Sequence, residues 1–193
     1  MADIANPFFG QLLGGVERIA LGHNHLVIAS DSGGNPEREK AILEHLTNQR
    51  VAGIIISTLS HNPGQVQHIH RLQMPFVLVD QKVDGIEADF VASDNVLASA
   101  ILTEHLIRFG HTRIAHIAGR SGLWTAERRL EGFRNTMAAA GIAVDESLIV
   151  DGDYMGEVAY AQAMRPLTRA DRPTAIIAAN NVMALASLQA MHD

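Results

Sequence analysis

The sequence predicts an α/β fold of two lobes, each a parallel sheet flanked by helices. Short β-branched runs alternate with longer helical patterns along the 193 residues, which is typical of right-handed βαβ units. Uninterrupted apolar runs such as Gly53–Ile56 indicate strands buried on both faces, as in parallel sheets. Asn35-Pro36 is a typical helix start, and Gly110 is a typical residue just past a helix end.

Each element follows from its apolar period and its flanking turn residues. The predicted strands are Leu26–Ser30, Gly53–Thr58, Phe76–Asp80, Phe90–Ser93, Arg113–Ala118, Leu148–Val150 and Ala175–Ala178. The predicted helices are Phe8–Leu21, Pro36–Gln49, Gly64–Leu72, Asn95–Phe109, Thr125–Ala140, Glu157–Leu167 and Val182–Met191. Thr125–Ala140 presents one apolar face through Leu130, Phe133 and Met137.

The two lobes are predicted to meet at the crossover near residues 109–112. Three βα units precede this point and three follow it, which places the first lobe at 1–111 and the second at 112–193. We expect both lobes to be truncated. The chain begins with a helix where a strand is expected, and it ends on a helix with no closing strand.

Composition narrows the function classes. The net charge of −6 argues against a nucleic-acid surface on this chain, because phosphate binding requires a basic field. The lack of cysteine excludes disulfides and thiolate sites. We expect a chain without a secretory signal or membrane span, since neither a basic-apolar leader nor a long apolar run occurs.

Sequence motifs of catalysis and of cofactor binding are missing. The paired glycines lack the spacing of a dinucleotide fingerprint, and neither a phosphate-binding loop nor a Gly-x-Ser-x-Gly motif occurs. The ten histidines lack the spacing of metal ligands. Several carboxylates lie at predicted strand ends, but the sequence pairs none of them with a nucleophile. They are Asp80, Asp94, Asp151 and Asp153. We therefore expect no cofactor, no metal and no enzymatic activity.

A ligand-binding crevice is better supported. Aromatic, Arg and Asn side chains fall just after strands or at helix starts, where open α/β sheets bind ligands; they are Phe8, Phe9, Trp124, Arg129, Tyr154 and Asn180-Asn181. Structural roles remain open for each. Phe8-Phe9 could be a hydrophobic staple, Arg129 could pair with Glu127 or Glu131, and Tyr154 could cover a lobe edge.

The chain resembles the effector-binding core of the lactose/galactose-repressor family of bacterial transcription regulators. The resembling segments occur in family order over nearly the whole chain. They are Asn6-Pro7-Phe8-Phe9, Gly53-Ile54-Ile55, Pro75-Phe76-Val77, Asp94-Asn95, His105-Leu106-Ile107-x-x-Gly110-His111-x-x-Ile114-Ala115, Arg129-Leu130-x-Gly132-Phe133 and Pro173-Thr174-Ala175-x-x-x-x-Asn180-x-x-Met183-Ala184.

This resemblance implies two periplasmic-binding-protein-like lobes, homodimerisation and a small sugar-like or nucleobase-like effector held between the lobes. It implies a cytoplasmic protein that reaches DNA only through a head domain. It also implies effector contacts from Phe8, Phe9, Trp124 with Thr125, Arg129, Tyr154 and Asn180. Asp94 carries over more weakly, because it also suits the cap of its helix.

The chain departs from the family pattern in several places. The DNA-binding head, the hinge helix, the first strand of the first lobe and the last strands of the second lobe are not found in these residues. Asn181 stands where the family commonly has Asp. Two other classes stay open. A solute-binding protein of a transport system would share the fold, and an α/β enzyme would need the nucleophile–base pair that the sequence lacks.

Overall fold

Two compact units make up the chain, Met1–Val91 and Ala92–Asp193. The computed structural model describes residues 4–59 and 74–193. The predicted helix Gly64–Leu72 lies outside the described residues. Within those residues, no helix combines the length and apolar character needed to cross a membrane.

The first unit contains a parallel sheet and two long helices. The helices are α1 (Pro7–Gly22) and α2 (Pro36–Asn48), and the strands are β1 (Ile54–Ile56), β2 (Phe76–Val79) and β3 (Asp89–Val91). The strands lie in the order β1-β2-β3, and all pairs are parallel. The core comprises Leu43, Ile54, Ile56, Leu78, Val83 and Ile86. This architecture agrees with the α/β class predicted from the sequence.

Both helices of this unit begin as the sequence predicts. The Asn6 side chain accepts a hydrogen bond from the Phe8 N–H, and Pro7 takes the first helical position. Asn35 caps α2 in the same way, by accepting from the Arg38 N–H, and is followed by Pro36. In both cases an amide oxygen satisfies a backbone donor that has no partner inside the helix.

One predicted strand in this unit is absent, and one predicted burial is wrong. Leu26–Ser30 forms no strand, and Leu26 and Ile28 are 87% and 67% exposed. Among the described residues the sheet ends at β1, so this segment has no neighbouring strand to complete a hydrogen-bond ladder. Ile55 of β1 is 48% exposed, although its apolar run predicts burial on both faces, because it points to the opposite face from Ile54 and Ile56 and lines an open groove there.

The second unit is built around one fully buried strand. Its strands are β4 (Ile114–Ala118), β5 (Ile149–Asp151) and β6 (Ala175–Ala178), and they lie parallel in the order β5-β4-β6. All five residues of the central strand β4 are buried, as the apolar pattern predicts. The helices are α3 (Asn95–Arg108), α4 (Trp124–Ala139), α5 (Gly156–Leu167) and α6 (Asn181–His192).

Helices α3 and α4 pack at close range. A Cβ at Gly132 of α4 would lie 2.3 Å from the Val96 carbonyl oxygen of α3, so only glycine allows this approach. This contact explains why α3 belongs to the second unit. The compact units separate between Val91 and Ala92, about twenty residues before the lobe boundary predicted at 111/112. The assignment of two lobes to 1–111 and 112–193 stays a prediction.

Candidate ligand-binding site

The three parallel strands of the second unit end at one edge of the sheet, where several predicted site residues lie. β4 is followed by Gly119, β5 by the turn Gly152–Tyr154, and β6 by Ala179 and Asn180. Ligands of open α/β sheets bind at the carboxyl ends of the strands, where loops and helix N-termini meet. The side chains from these connections form a contact network centred on Arg129 and Tyr154.

The turn after β5 holds Tyr154 in an unusual backbone conformation. Asp153 and Tyr154 both have positive φ, at 53° and 60°, which is sparsely populated for residues with side chains. Two interactions hold Asp153: its N–H donates to Asp151 Oδ1 over 2.8 Å, and Arg120 Nε bonds its carboxylate. A strained backbone conformation persists only where the surrounding structure fixes it, and residues of this kind are enriched at ligand sites.

Tyr154 is fixed on two sides. Its hydroxyl is 2.8 Å from Thr125 Oγ1, which lies in the first turn of α4 and is 1% exposed. Its ring lies so close to the Gly119 backbone that a Cβ at position 119 would be 2.1 Å from the Tyr154 Cζ. The guanidinium carbon of Arg129 lies 5.9 Å from the centroid of the ring. Cation–π attraction acts at this distance.

Arg129 connects α4 to two other elements. Its Nε donates to the Asn95 Oδ1 over 2.7 Å, and its Nη1 donates to the carbonyl oxygen of Ala179. Asn95 is 2% exposed and also donates from Nδ2 to the Ser93 carbonyl oxygen over 3.0 Å. A ligand role for Asn95 is not predicted from the sequence. The only signal for it was the Asp94-Asn95 pair within the family resemblance.

Asp94 and Asn180 both cap helices. The Asp94 carboxylate accepts from the Leu97 N–H over 2.9 Å at the start of α3. Asn180 Oδ1 accepts from the Met183 N–H over 2.8 Å at the start of α6. These bonds give each residue a structural role at the edge where a ligand is expected. A further contact of Asp94 or Asn180 with a ligand is a prediction from the sequence.

Trp124 occupies the first position of α4 and is half-buried. The residue before it, Leu123, makes no side-chain capping bond, so the N-terminal N–H groups of α4 are not satisfied by a cap of this kind. Trp124 is thus beside Thr125 in the sequence, at the helix start that faces Tyr154. The contact of Trp124 with a ligand is likewise a prediction from the sequence.

The predicted aromatic pair lies in the first unit, at the start of α1. Phe9 is 7% exposed and packs inward, whereas Phe8 is 42% exposed. The two rings meet edge to face, with centroids 5.1 Å apart and planes inclined at 74°. Phe9 therefore has the anchoring role expected of a helix-entry residue, and Phe8 is the more accessible of the two predicted ligand contacts.

A groove of about 690 Å³ also lies in the first unit, between α1, α2, the segment Leu26–Ser30 and the edge of β1. Its walls are mainly apolar and include Leu12, Val16 and Ile55. Glu39 lines it too, and its carboxylate accepts from Thr58 Oγ1 over 2.7 Å. Burial raises the pKa of Glu39, and the Thr58 bond opposes that rise. None of the predicted site residues lines this groove in the described structure.

His116 lies at the centre of the second sheet. It is fully buried, and its ring packs on Phe133 with centroids 5.0 Å apart. Burial lowers its pKa to about 4, and the positive charges of Arg134 and Arg129 act in the same direction. His116 is therefore neutral at neutral pH. In the described ranges, no three His, Asp or Glu side chains are placed to hold a metal ion.

Comparison with known proteins gives one consistent picture. The sequence model of "periplasmic binding proteins and sugar binding domain of LacI family" matches residues 1–193. The HTH-type transcriptional regulator DegA of Bacillus subtilis is 35% identical over 193 residues, which are 97% of this chain and 56% of that protein. The chain thus spans about half the length of the curated relatives it matches.

Solved structures agree with this result. The transcription regulator CcpA of Lactococcus lactis superposes with a TM-score of 0.91 at 28% identity, covering 100% of this chain and 70% of that one. The transcriptional regulator CelR in complex with cellobiose superposes with a TM-score of 0.85 at 28% identity, covering 96% of this chain and 57% of that one.

Proposed function

Because this chain belongs to the family of periplasmic binding proteins and sugar-binding domains of LacI-family regulators, we propose that it is the effector-sensing core of a bacterial transcription regulator. It binds a small sugar-like or nucleobase-like ligand. The observation that carries this proposal is the network of Arg129, Tyr154, Thr125 and Asn95 at the carboxyl ends of the second sheet. The names of its relatives favour a regulator over the solute-binding alternative.

The chemistry of this network suits a small polar ligand. A guanidinium group offers N–H donors in a fixed plane, and a tyrosine ring offers an apolar face with a polar tip. Neighbouring contacts hold both side chains, so little conformational entropy is lost when a ligand binds. The CelR–cellobiose complex, a structural neighbour, is a regulator with a bound sugar and supports this ligand class.

In this proposal the ligand shifts a conformational equilibrium of the complete protein. A ligand that binds one conformation more tightly raises the population of that conformation. DNA binding would come from a head domain, because the −6 charge of these residues does not favour a phosphate surface. We further propose a cytoplasmic homodimer without catalytic activity, in keeping with relatives named as transcription regulators.

Site assignments remain proposals for each residue. Arg129, Tyr154 and Trp124 would contact the ligand from the second unit, together with Asn180. Asp94 is the weakest of the set, because its carboxylate already caps α3. The roles of Phe8 and Phe9 rest on the family resemblance, and the exposure of Phe8 suits such a role better than the burial of Phe9.

Calorimetric titration of the full chain with sugars and nucleosides tests the proposal. We expect saturable binding of at least one compound, and Arg129→Ala should weaken it at least tenfold, since hydrogen bonds from a charged donor are worth about 1.5–3 kcal/mol. Arg128→Ala is the matched control. That neighbouring arginine pairs with Glu131 over 2.6 Å and makes no contact with the network. Equal affinities for wild type and Arg129→Ala would overturn the site assignment.

A further inference from the structure

Two loops at the carboxyl edge of the second sheet are joined to each other. Residues 119–123 lead from β4 into α4, and residues 152–154 follow β5. The Asp151 carboxylate, at the end of β5, accepts from the Ser121 N–H of the first loop over 3.2 Å. The second loop carries Tyr154, so contacts between the two loops bear on where its ring lies.

The second loop requires such contacts because its backbone is strained. Asp153 and Tyr154 have φ values of 53° and 60°, and no other two consecutive non-glycine residues of the described ranges both have positive φ. A residue with a bulky side chain rarely adopts this conformation. It persists only where surrounding contacts fix it, so the loss of such a contact should let the turn relax. The Tyr154 ring would then leave its present position.

Arg120 is placed to supply a contact of this kind. Its Nε donates to the Asp153 carboxylate, and the two side chains form an ion pair. Its backbone is held as well, because its carbonyl oxygen accepts from the Leu123 N–H over 3.2 Å in the turn that leads into α4. The two paired side chains are 34% and 33% exposed, so water screens their charges less than on the open surface. Charge-assisted bonds of this kind are stronger than neutral ones.

Asp153 passes this restraint to Tyr154, its neighbour in the turn. The Tyr154 ring lies against the Gly119 backbone, and its hydroxyl is 2.8 Å from Thr125 Oγ1. Arg129 lies over the same ring. The hydroxyl bond holds the tip of the ring, whereas the ion pair holds the backbone from which the ring extends. The position of the ring therefore depends on both.

We propose that Arg120 is a positioning residue of the candidate ligand site: through its ion pair with Asp153 it sets the place of the Tyr154 ring. Arg120 needs no contact with a ligand in this role. Because Tyr154 is a ligand contact only under the proposed function, the effect of Arg120 on affinity rests on that proposal, whereas its effect on ring position does not. The sequence predicts Asp153 only as a strand-end carboxylate and gives Arg120 no role.

Nuclear magnetic resonance of the full chain measures the ring position without a ligand. The chain has two tyrosines, so tyrosine-labelled protein gives two sets of ring signals, which Tyr154→Phe assigns. Wild type should show a nuclear Overhauser effect between the Tyr154 ring and the Gly119 α-protons, because the ring lies against that backbone. Arg120→Gln should weaken this effect by roughly threefold or more, since the turn relaxes. Arg120→Lys should retain part of it, because lysine keeps the charge without the planar donor group.

Asp153→Gly tests the same role in a turn with less strain. Glycine adopts positive φ at no steric cost, so relief of strain should offset the lost ion pair and leave the midpoint of urea unfolding close to that of wild type. The variant should still weaken the Overhauser effect between Tyr154 and Gly119 as much as Arg120→Gln does, because the carboxylate is gone. The double variant Arg120→Gln/Asp153→Gly should show no further loss, since both changes remove one interaction.

The matched control is Arg134→Gln. Arg134 lies in α4 and pairs with Glu146 over 2.5 Å, outside both loops, so its loss should leave the Overhauser effect unchanged. Calorimetric titrations of D-glucose, D-ribose and inosine connect ring position to function. A probe that binds wild type should bind Arg120→Gln roughly fivefold more weakly, because the ring is no longer held in place, and Arg134→Gln equally well.

The possible outcomes separate this role from the proposed function. A full Overhauser effect in Arg120→Gln, or additive losses in the double variant, would overturn the inference. A displaced ring with unchanged affinity would overturn the functional role of Arg120. If none of the three probes binds wild type and the ring is displaced in Arg120→Gln, the result supports the positioning role and counts against the proposed function.

Discussion

The ring of Tyr154 occupies the space that a side chain at Gly119 would need. A Cβ built on Gly119 would lie 2.1 Å from Cζ, 2.4 Å from Cε1 and 2.5 Å from Oη of Tyr154. Real Cβ atoms do not approach other atoms this closely, so the ring and a residue larger than glycine at 119 cannot coexist in these positions. The end of β4 and the turn after β5 are therefore coupled at this contact.

Gly119→Ala should displace the Tyr154 ring and break its hydrogen bond to Thr125 Oγ1. We expect a loss of about 1–3 kcal/mol in the free energy of unfolding, which is typical of overpacking. Urea denaturation measures this change. The effect should nearly vanish in a Tyr154→Ala background, since the ring is then gone. An equal cost of Gly119→Ala in both backgrounds would show that the clash is not its cause.

Gly132→Ala should destabilise the second unit because the new Cβ would meet backbone. It would lie 2.3 Å from the Val96 carbonyl oxygen and 3.0 Å from the Ser99 Cβ, so α3 would have to move away from α4. We expect a loss of roughly 2–3 kcal/mol in denaturant unfolding.

Gly14→Ala is the matched control for Gly132→Ala. Gly14 also lies inside a helix, α1, but a Cβ there would meet no heavy atom within 4 Å. Alanine should therefore stabilise the protein by about 0.5–1 kcal/mol through its higher helix propensity. If both substitutions changed stability in the same direction, the close helix packing at Gly132 would be disproved.

His116 should make the folded state sensitive to acid. Its pKa is about 4 in the folded protein and about 6.5 in an unfolded chain, so the unfolded state binds more protons between these values. Stability is fully present above pH 6.5 and falls as the pH decreases towards 4. We expect a loss of roughly 3 kcal/mol across this window from His116 alone.

His116→Leu should remove that part of the pH dependence. Denaturant unfolding at pH 7, 5.5 and 4.5 would give a flatter curve for the variant than for wild type. At pH 7 the variant should also be no less stable, because both ring nitrogens of His116 are buried without a hydrogen-bond partner in the described structure. His192→Gln serves as the control, since that side chain is 92% exposed. Parallel curves for wild type and His116→Leu would refute the prediction.

Much of the fold follows from local sequence pattern. The predicted and observed ends of α2 and α3 differ by at most one residue, because Asn35-Pro36, Asp94 and Gly110 mark them through capping chemistry. The ends of α4 agree equally well without a side-chain cap, since its apolar face defines the helix. The buried strand β4 was also predicted from its apolar run. The failures at Leu26–Ser30 and Ile55 have one origin. Whether a strand pairs, and on which faces it is covered, depends on neighbours that local pattern does not specify.

The candidate site could be predicted only in part. Family order and strand-end position indicated Arg129 and Tyr154, and the structure brings these two side chains into contact. The roles of Asn95 and Gly119 depend on contacts between residues far apart in the sequence. Asn95 meets Arg129 across 34 positions, and Gly119 meets Tyr154 across a turn with positive φ. The role of such a residue depends on its tertiary contacts, which the local sequence pattern does not indicate.

Asp94 and Asn95 are neighbours with separable roles, and substitution should distinguish them. Asp94→Ala removes only the N-cap of α3 in the described structure, so we expect a loss of about 1 kcal/mol in stability with ligand affinity changed less than twofold.

Asn95→Ala leaves the Arg129 Nε without its acceptor in a half-buried site, which should lower stability by about 1–3 kcal/mol. It should also weaken ligand binding at least fivefold, because the guanidinium is no longer held in place. Calorimetric titration with whichever compound binds wild type, together with urea unfolding, measures both quantities. A large loss of affinity in Asp94→Ala with stability unchanged would instead assign the ligand contact to Asp94 and deny that its carboxylate acts mainly as a cap.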